Sequence, residues 1–496
     1  NDGKILKTGT GIDIQKEFLS EKIINAEGKT VFPGFYDAHC HFYGFGTNVQ
    51  SRANLIGTKS FDEVIDRLIS HDEKYQPDWL QGRGWDQNDW PVKEFPDKKK
   101  LDELFPDKPV YLIRIDGHAA LVNSKALIIA GIDINSTIKG GEYIKKNGEL
   151  TGVLIDNAMD MVSEIIPAQT KEEIAEALLI SQDSCLKYGL TSISDAGLNK
   201  NVVETIDSLQ KTGKLKMRVY AMLSANEENI NHFVKNGIYC TDKLSVRSIK
   251  LFSDGALGSR GAKMIEPYSD DQENSGFLLH EQEYYDKYCQ LAYDNDYQVN
   301  IHAIGDAGVR MSLNMFGKFL KKENDRRWRI EHSQVVHADD FSLFGKYSII
   351  PSVQATHATS DMYWAEERLG PERIKNAYAY KKLLEQNGWL PNGTDFPIEK
   401  IDPLLTYYAA VFRQDLNNWP EGGFQSENAI SPKEALRSIT IWPARAAFEE
   451  DVKGSLEAGK FADFIILNKD LFTATQEDVP KIIIEAVYIG GEEVME

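Results

Sequence analysis

The amino-acid sequence predicts an α/β chain whose centre is a (β/α)₈ TIM barrel, with a small β-sandwich built from the N- and C-terminal segments and an insertion after the first βα unit. Three observations predict it. From Lys171 onward, segments of strand composition alternate with segments of helical period, the pattern of right-handed βαβ units and a parallel sheet. Together with the run that ends at His39-Cys40-His41, the strand segments number eight, which suits a closed barrel, and no dinucleotide-binding glycine fingerprint supports an open sheet. Both ends of the chain read as short strands and turns, so they are expected to pair beside the barrel.

The stretch 4–30 mixes short apolar runs with turn residues and predicts small strands rather than helix. Residues 1–30 with 449–496 make up the composite sandwich, leaving 31–448 as the barrel. Val31 and Phe32 lead into Pro33-Gly34-Phe35-Tyr36-Asp37-Ala38-His39-Cys40-His41, a strand that ends before the turn-permitting Gly44 and Gly46. Behind a Ser60 cap, residues 61–69 carry apolar side chains at helical spacing and predict the first helix. The rhythm then breaks: 75–160 is rich in Trp, Asp, Pro and Gly, with a strand at 109–114 and a hairpin signal at Lys146-Asn147-Gly148, and reads as the insertion. A helix over 171–186 leads to a strand at 191–194, and one over 202–209 to a strand at 217–222. Strands at 245–252, 298–302, 328–332, 348–353 and 388–392 complete the eight. Ser431-Pro432 opens a capped helix predicted to run to about Phe448, and strand and turn follow.

At 496 residues the chain can bury a large core, and its formal charge of −20 argues against nucleic acid or an anionic membrane as partner, since both need clustered Lys and Arg. Four scattered cysteines, Cys40, Cys185, Cys240 and Cys289, form no CxxC pair, so neither a disulfide framework nor a thiolate zinc site is indicated. No apolar run approaches the roughly eighteen residues of a membrane span. The chain begins at Asn1 rather than methionine, so a removed leader or native segment is compatible with it; localisation stays open, with the cytoplasm as default. The expected partner is a small-molecule substrate, and a homo-oligomer is left open.

Potential ligands recur where the predicted strands end. In a strand, alternate residues share a face, so His39 and His41 can aim both imidazoles at one ion. Lys250 follows in Ile249-Lys250-Leu251-Phe252, His302 in Asn300-Ile301-His302-Ala303, His332 in Ile330-Glu331-His332-Ser333, and Asp395 in Asn392-Gly393-Thr394-Asp395. Each alone reads as an ordinary strand-end or capping residue. Together, four imidazoles and a carboxylate at matching strand ends suit one or two divalent transition ions, Zn²⁺ above all. His280-Glu281-Gln282-Glu283-Tyr284 lacks the second histidine of a zinc-protease helix, and the glycines of 255–261 have neither Rossmann nor P-loop spacing. Trp85 and Trp364 are candidate pocket walls, and Arg260 a candidate substrate contact or structural ion pair.

These motifs resemble the metal-dependent amidohydrolase superfamily, specifically the amidohydrolase-3 group that includes N-substituted formamide deformylases. The resemblance runs from about Lys4 to the end and rests on the Pro33–His41 motif, Lys250-Leu251-Phe252 with Asp254-Gly255-Ala256-Leu257-Gly258-Ser259-Arg260, Asp116-Gly117-His118-Ala119, and Asn392-Gly393-Thr394-Asp395-Phe396-Pro397. It implies that His39, His41, His302, His332 and Asp395 hold metal and that Lys250 is carbamylated as a ligand bridging two ions. A lysine amine desolvated at a barrel mouth is more easily neutral and able to take up carbon dioxide. The chain departs from the family at its start, where one or two further strands usually precede the Gly3-Lys4-Ile5 turn.

The expected activity is hydrolysis of a non-peptide carbon–nitrogen bond by metal-activated water, as in an amide, an N-acyl or N-formyl amine or a cyclic amide. Asp395 would act as general base and acid, and His118 and Asp254 would orient substrate beside Trp85 and Arg260. An ester, lactone or phosphotriester hydrolase on the same site is the nearest rival. A non-catalytic regulatory descendant would show a lost ligand, and none is missing.

Overall fold

Seven parallel strands form the central sheet: β1 (Phe35–Cys40), β2 (Leu190–Leu198), β3 (Arg218–Ser224), β4 (Leu244–Phe252), β5 (Gln298–Ala303), β6 (Arg329–His332) and β7 (Ile350–Ser352), each hydrogen-bonded to the next in that order. The structure is a computed structural model and describes residues 2–20 and 23–495. The eighth wall is an extended segment, 390–395, rather than the strand expected at 388–392. Gly388 has φ 73 and ends the helix Tyr380–Asn387, so extension starts only beyond it. On one side the segment meets β7, with Val353 N–H donating to Pro391 O (3.1 Å) and Gly393 N–H to Val353 O (2.9 Å). On the other side Ala38 N–H reaches Asn392 O (3.3 Å) and Asp395 N–H reaches His39 O (2.8 Å), which closes the barrel onto β1. Residues of β1 and β5 are buried throughout, as expected of parallel strands covered on both faces.

Two helices matter for the site. The first, α1 (Phe42–Ser51), begins directly after His41, where the sequence suggested a glycine turn. Gly46 is needed in it, because a Cβ there would fall 1.9 Å from Ala177 O of α2 (Lys171–Lys187). The glycines thus serve helix packing. The second, α3 (Ala355–Asp361), follows β7. The expected helix over 61–69 is present as Phe61–Tyr75, capped by Ser60, but it belongs beside the inserted sheet and not beside β1.

That inserted sheet has six strands in the order Ala53–Asn54, Leu80–Trp85, Val110–Arg114, Ala119–Val122, Glu149–Asp156 and Gly141–Lys146, with apolar clusters of its own. Asn147 (φ 55) and Gly148 (φ 80) make its predicted tight hairpin, the backbone state that favours Asn-Gly. The chain ends meet in a four-stranded antiparallel sheet of Thr30–Pro33, Phe464–Leu467, Ile484–Ile489 and Glu492–Glu493. It is pinned to the barrel by a buried ion pair, Arg218 Nε to Asp463 Oδ2 at 2.5 Å. Within the opening stretch, Gly11–Glu17 is helical, not extended. Thr10 caps it through Asp13 N–H, a local signal that outweighs the strand-like spacing of its apolar residues. The helix expected from Ser431 to about Phe448 is broken into Pro432–Ser438 and Ile441–Ala446. No helix among the described residues is long and apolar enough to cross a membrane.

Barrel closure leaves no room at Gly393, where a Cβ would sit 2.5 Å from His39 N and 2.7 Å from both His39 O and Asp37 Oδ1. Gly393→Ala is expected to cost about 1–3 kcal/mol, as overpacking does, and to lower the thermal midpoint measurably. Gly11→Ala, at an exposed helical position with nothing within 4 Å, should leave the midpoint unchanged; equal midpoints for the two variants would show that the closure can relax.

Candidate active site

Each candidate ligand lies at the C-terminal end of a barrel strand or on the turn after it. His39 is next to last in β1 and His41 follows by one pleat, their rings 5.7 Å apart, while Cys40 turns away to the Ser194 carbonyl (3.4 Å). Asp195 of β2 accepts from Phe42 N–H (2.9 Å) and Tyr43 N–H (3.1 Å), satisfying the first free donors of α1 and so fixing the turn at His41. Lys250 sits opposite Asn300 in the β4–β5 ladder, His302 is next to last in β5, and His332 ends β6. His332 (φ 71) and Asp395 (φ 58) adopt left-handed backbone, a state that costs a non-glycine residue roughly 1–3 kcal/mol.

These side chains close around Asp395. Its Oδ1 lies 3.3 Å from His41 Nε2 and 3.5 Å from His39 Nε2, and its Oδ2 lies 3.7 Å from Nε2 of His357, a residue of α3. The His332 ring is 5.0 Å from His39 and 4.6 Å from His302. Ligand atoms of His39, His41 and Asp395, and separately of His332, His357 and Asp395, lie within 4.8 Å of one another.

Four buried atoms of this cluster have no hydrogen-bond partner among the described residues: His39 Nε2, Lys250 Nζ, His357 Nε2 and Asp395 Oδ1. Orphaned polar atoms are rare in protein interiors, and here they converge. Burial, then the nearby Lys250 charge, lowers the His39 pKa to about 4, and burial pushes His302 and His332 well below the ordinary imidazole range. All three are neutral at pH 7, with a lone pair to offer. Burial acts to raise Asp395, but the imidazoles facing it, His41 first and then His39 and His332, outweigh burial and hold the carboxyl well below its usual range. Burial also lowers Lys250 to about 8. Neutral imidazoles and a carboxylate with unclaimed atoms fit a divalent transition ion.

His39 is oriented from behind. Its Nδ1–H donates to Glu331 Oε2 (2.8 Å), and Arg329 Nε lies 2.9 Å from Glu331 Oε1, with all three side chains fully buried. Burial would raise Glu331, yet Arg329 first and His39 second bring it down to about 2, so it is a carboxylate that can only accept. The proton of His39 therefore sits on Nδ1, and Nε2 faces the cluster. Asp37 braces the neighbouring wall by accepting from Thr394 Oγ1 (2.6 Å) and His39 N–H (3.0 Å).

A cavity of about 660 Å³ opens over the cluster, walled by barrel residues and by the insertion, which contributes His118. The His118 Nδ1 is 2.5 Å from Asp156 Oδ1, and its ring stands 4.7 Å from that of His302. Trp364 lines the cavity. Three residues expected to touch substrate do not line it. Trp85 is buried in the insertion, its indole N–H on Leu112 O (2.9 Å), because the register shift at Gly84 (φ 109) breaks the strand's alternation and turns it onto the inward face with Leu80. Arg260 pairs with Asp270 (2.8 Å). Asp254 is spent on the N–H groups of Lys263, Ile304 and Gly305, tying the loops after β4 and β5 together. Sequence reasoning missed His357 and Glu331. The strand-end criterion that selected the other histidines also covers His357, four residues beyond the predicted 348–353 strand. Glu331 gave no such signal, since strand alternation sets it on the face opposite His332.

The amidohydrolase family model matches residues 22–495. YtcJ of Bacillus subtilis (strain 168) is 31% identical over 506 residues, covering 100% of this chain and 95% of that one. The N-substituted formamide deformylase of Arthrobacter pascens is 22% identical over 513 residues, covering 99% and 93%. Among solved structures, an uncharacterized metal-dependent hydrolase from Pyrococcus horikoshii OT3 superposes with a TM-score of 0.77 at 30% identity, covering 96% and 94% of the two chains.

Glu331→Gln keeps the shape behind His39 but removes the charge that fixes its tautomer. Chelator competition on the folded variant should show metal affinity reduced by about 10- to 100-fold, the usual scale for partners of metal-ligating histidines. Unaltered affinity would mean that Glu331 serves Arg329 alone.

Proposed function

The chain belongs to the amidohydrolase family and is a metal-dependent hydrolase of that family, and from this premise we propose that it hydrolyses a carbon–nitrogen bond other than a peptide bond, in an N-acyl or N-formyl amine or a cyclic amide. The observation that carries the reading is the convergence of orphaned buried atoms, His39 Nε2, Lys250 Nζ and Asp395 Oδ1, beneath one large cavity. The formamide deformylase among the relatives supports the choice of bond.

His39, His41, His302, His332 and Asp395 would hold one or two divalent ions, zinc being the ion this donor set suits best. A divalent ion, when bound, supplies Lewis acidity, polarising a carbonyl oxygen and lowering the pKa of water towards neutrality. Lys250 is the residue to be carbamylated: burial favours its neutral amine, and the carbamate replaces a cation that would repel the metal with a two-oxygen anion. Asp395 takes the proton of the attacking water on a carboxylate oxygen and passes it to the leaving nitrogen. Its low pKa keeps it ready to accept in the resting state. His118, fixed through Nδ1 by Asp156, orients the substrate through Nε2. The insertion walls the cavity on the side of His118.

Purified protein should carry about one to two equivalents of a divalent transition ion by elemental analysis. In a turnover screen of N-formyl and N-acyl amines, cyclic amides, esters and phosphotriesters, activity is expected on the amides. Asp395→Asn should fold normally and lose about 10²–10⁴-fold in kcat. Lys250→Ala should lose metal, with partial rescue by a short carboxylic acid that refills the space. Full activity in the Asp395 variant, or exclusive turnover of esters, would remove the proton-shuttle role or the bond assignment respectively.

A further inference from the structure

Asp395 divides the cavity. Its Oδ1 is turned to His39 and His41, whereas its Oδ2 faces His357 at 3.7 Å, too far for a direct hydrogen bond. His357 is 8% exposed, its Nε2 has no partner among the described residues, and it lines the cavity. A leaving nitrogen that collects its proton from Asp395 on the side away from His39 and His41 therefore lies against the wall that His357 begins.

Two more carboxylates complete this wall. Asp361 is one helical turn beyond His357 and shares its face of α3. Tyr378 Oη (2.7 Å) and Gln334 Nε2 (3.3 Å) both donate to its Oδ2, and neither is a cation, which leaves Oδ1 for the cavity. Glu399, on the turn after the eighth barrel segment, accepts from Ser360 Oγ on Oε1 (2.6 Å) and also lines the cavity. Trp364 lines the same space, with the Arg368 guanidinium over its ring at 5.6 Å. Of the cations nearby, Arg114 is shared between Asp86 and Asp116, and Lys400, exposed at the rim, acts on Glu399 and not on Asp361.

We propose that this wall is a cation-recognising subsite for the leaving amine, so that the preferred substrate is an N-acylated amine carrying a second, positively charged nitrogen. The inference rests on the hydrolytic reading above and narrows it. Burial raises both acids, Asp361 to about 7, and a bound ammonium ion offsets this by favouring their charged forms; carboxylates with unclaimed oxygens beside an aromatic ring are the groups that recognise such an ion. The formal charge of −20 adds a field that draws cations toward the molecule.

Calorimetric binding of product-like amines to the metal-loaded protein tests the subsite without turnover. The probes are 1,4-diaminobutane and 1-aminopentane, which share one amine and differ in charge at the other end. The diamine should bind roughly tenfold tighter, a preference that weakens with salt, and Asp361→Asn and Glu399→Gln should each remove most of it. Equal binding of the two probes would overturn the subsite, as would a diamine preference intact in both variants, since chelation of metal would then explain it. The matching N-acetyl amides separate the two readings. Turnover of both amides without charge preference keeps the hydrolase and sinks the subsite, whereas a charge-dependent, variant-sensitive affinity without turnover of any amide keeps the subsite and sinks the bond assignment.

Discussion

Two opposite charges buried at the centre of a barrel are tolerated only when each satisfies the other, and the pair formed by Arg329 and Glu331 is the constraint on which the rest of this site depends. Neither side chain has any exposure, and the loss of hydration for each is worth several kcal/mol. Arg329 adds a bond to Asn300 Oδ1 (3.0 Å), and Glu331 spends its other oxygen on His39. The second bond carries the functional consequence. An anion fixed behind His39 leaves that ring one tautomer, and that tautomer puts the lone pair among Asp395, His41 and His332. A well-packed apolar replacement could stabilise the barrel equally well, so the pair is better understood as a device for orientation than as a source of stability.

The barrel and the insertion divide the work on different physical grounds. Barrel strands are held by ladders on both sides, so side chains at their ends are placed by the most rigid part of the molecule. The insertion has its own apolar clusters and reaches the mouth with the strand and turn ends that carry Arg114, Asp116, His118 and Asp156. Arg114 is held there between Asp86 and Asp116, which keeps three charged groups of the roof satisfied by one another. Ligands on the barrel and the roof on a separate sheet let cavity shape vary while the chemistry stays in place.

Much of this was legible in the sequence because strand ends advertise themselves. His39, Lys250, His302, His332 and Asp395 could be picked out by residue type at a predicted strand terminus; the structure sets His39, His41 and Asp395 within 4.8 Å of one another, with the rings of His332 and His302 beside them. Three kinds of information were not legible. The helix at Phe42–Ser51 was hidden because Gly44 and Gly46 look like a turn, whereas Gly46 answers a contact with α2 that only tertiary structure reveals. Trp85 has the residue type of a pocket wall, but a register shift at Gly84 turns it into the core of the insertion, whereas Arg260 takes the structural ion pair that was the alternative to substrate contact. Glu331 is the third kind, since its importance lies in a residue 292 positions away.

The relation of Glu331 to His332 shows why the cluster needs strained backbone at all. Strand alternation sends consecutive residues to opposite faces, so an inward Glu331 implies an outward His332. The structure has both at the site: Glu331 bonds His39 from within the barrel, and His332 stands against His39 and His302 at the mouth. The left-handed φ of 71° at His332 reverses the chain at that residue and restores its side chain to the cluster. Asp395 is left-handed too, at 58°, held by its N–H on His39 O and by Ile398 N–H on its own carbonyl. The costly backbone state at His332 is therefore the means by which two neighbouring residues both face the site, His332 as a candidate ligand and Glu331 as the group that orients one.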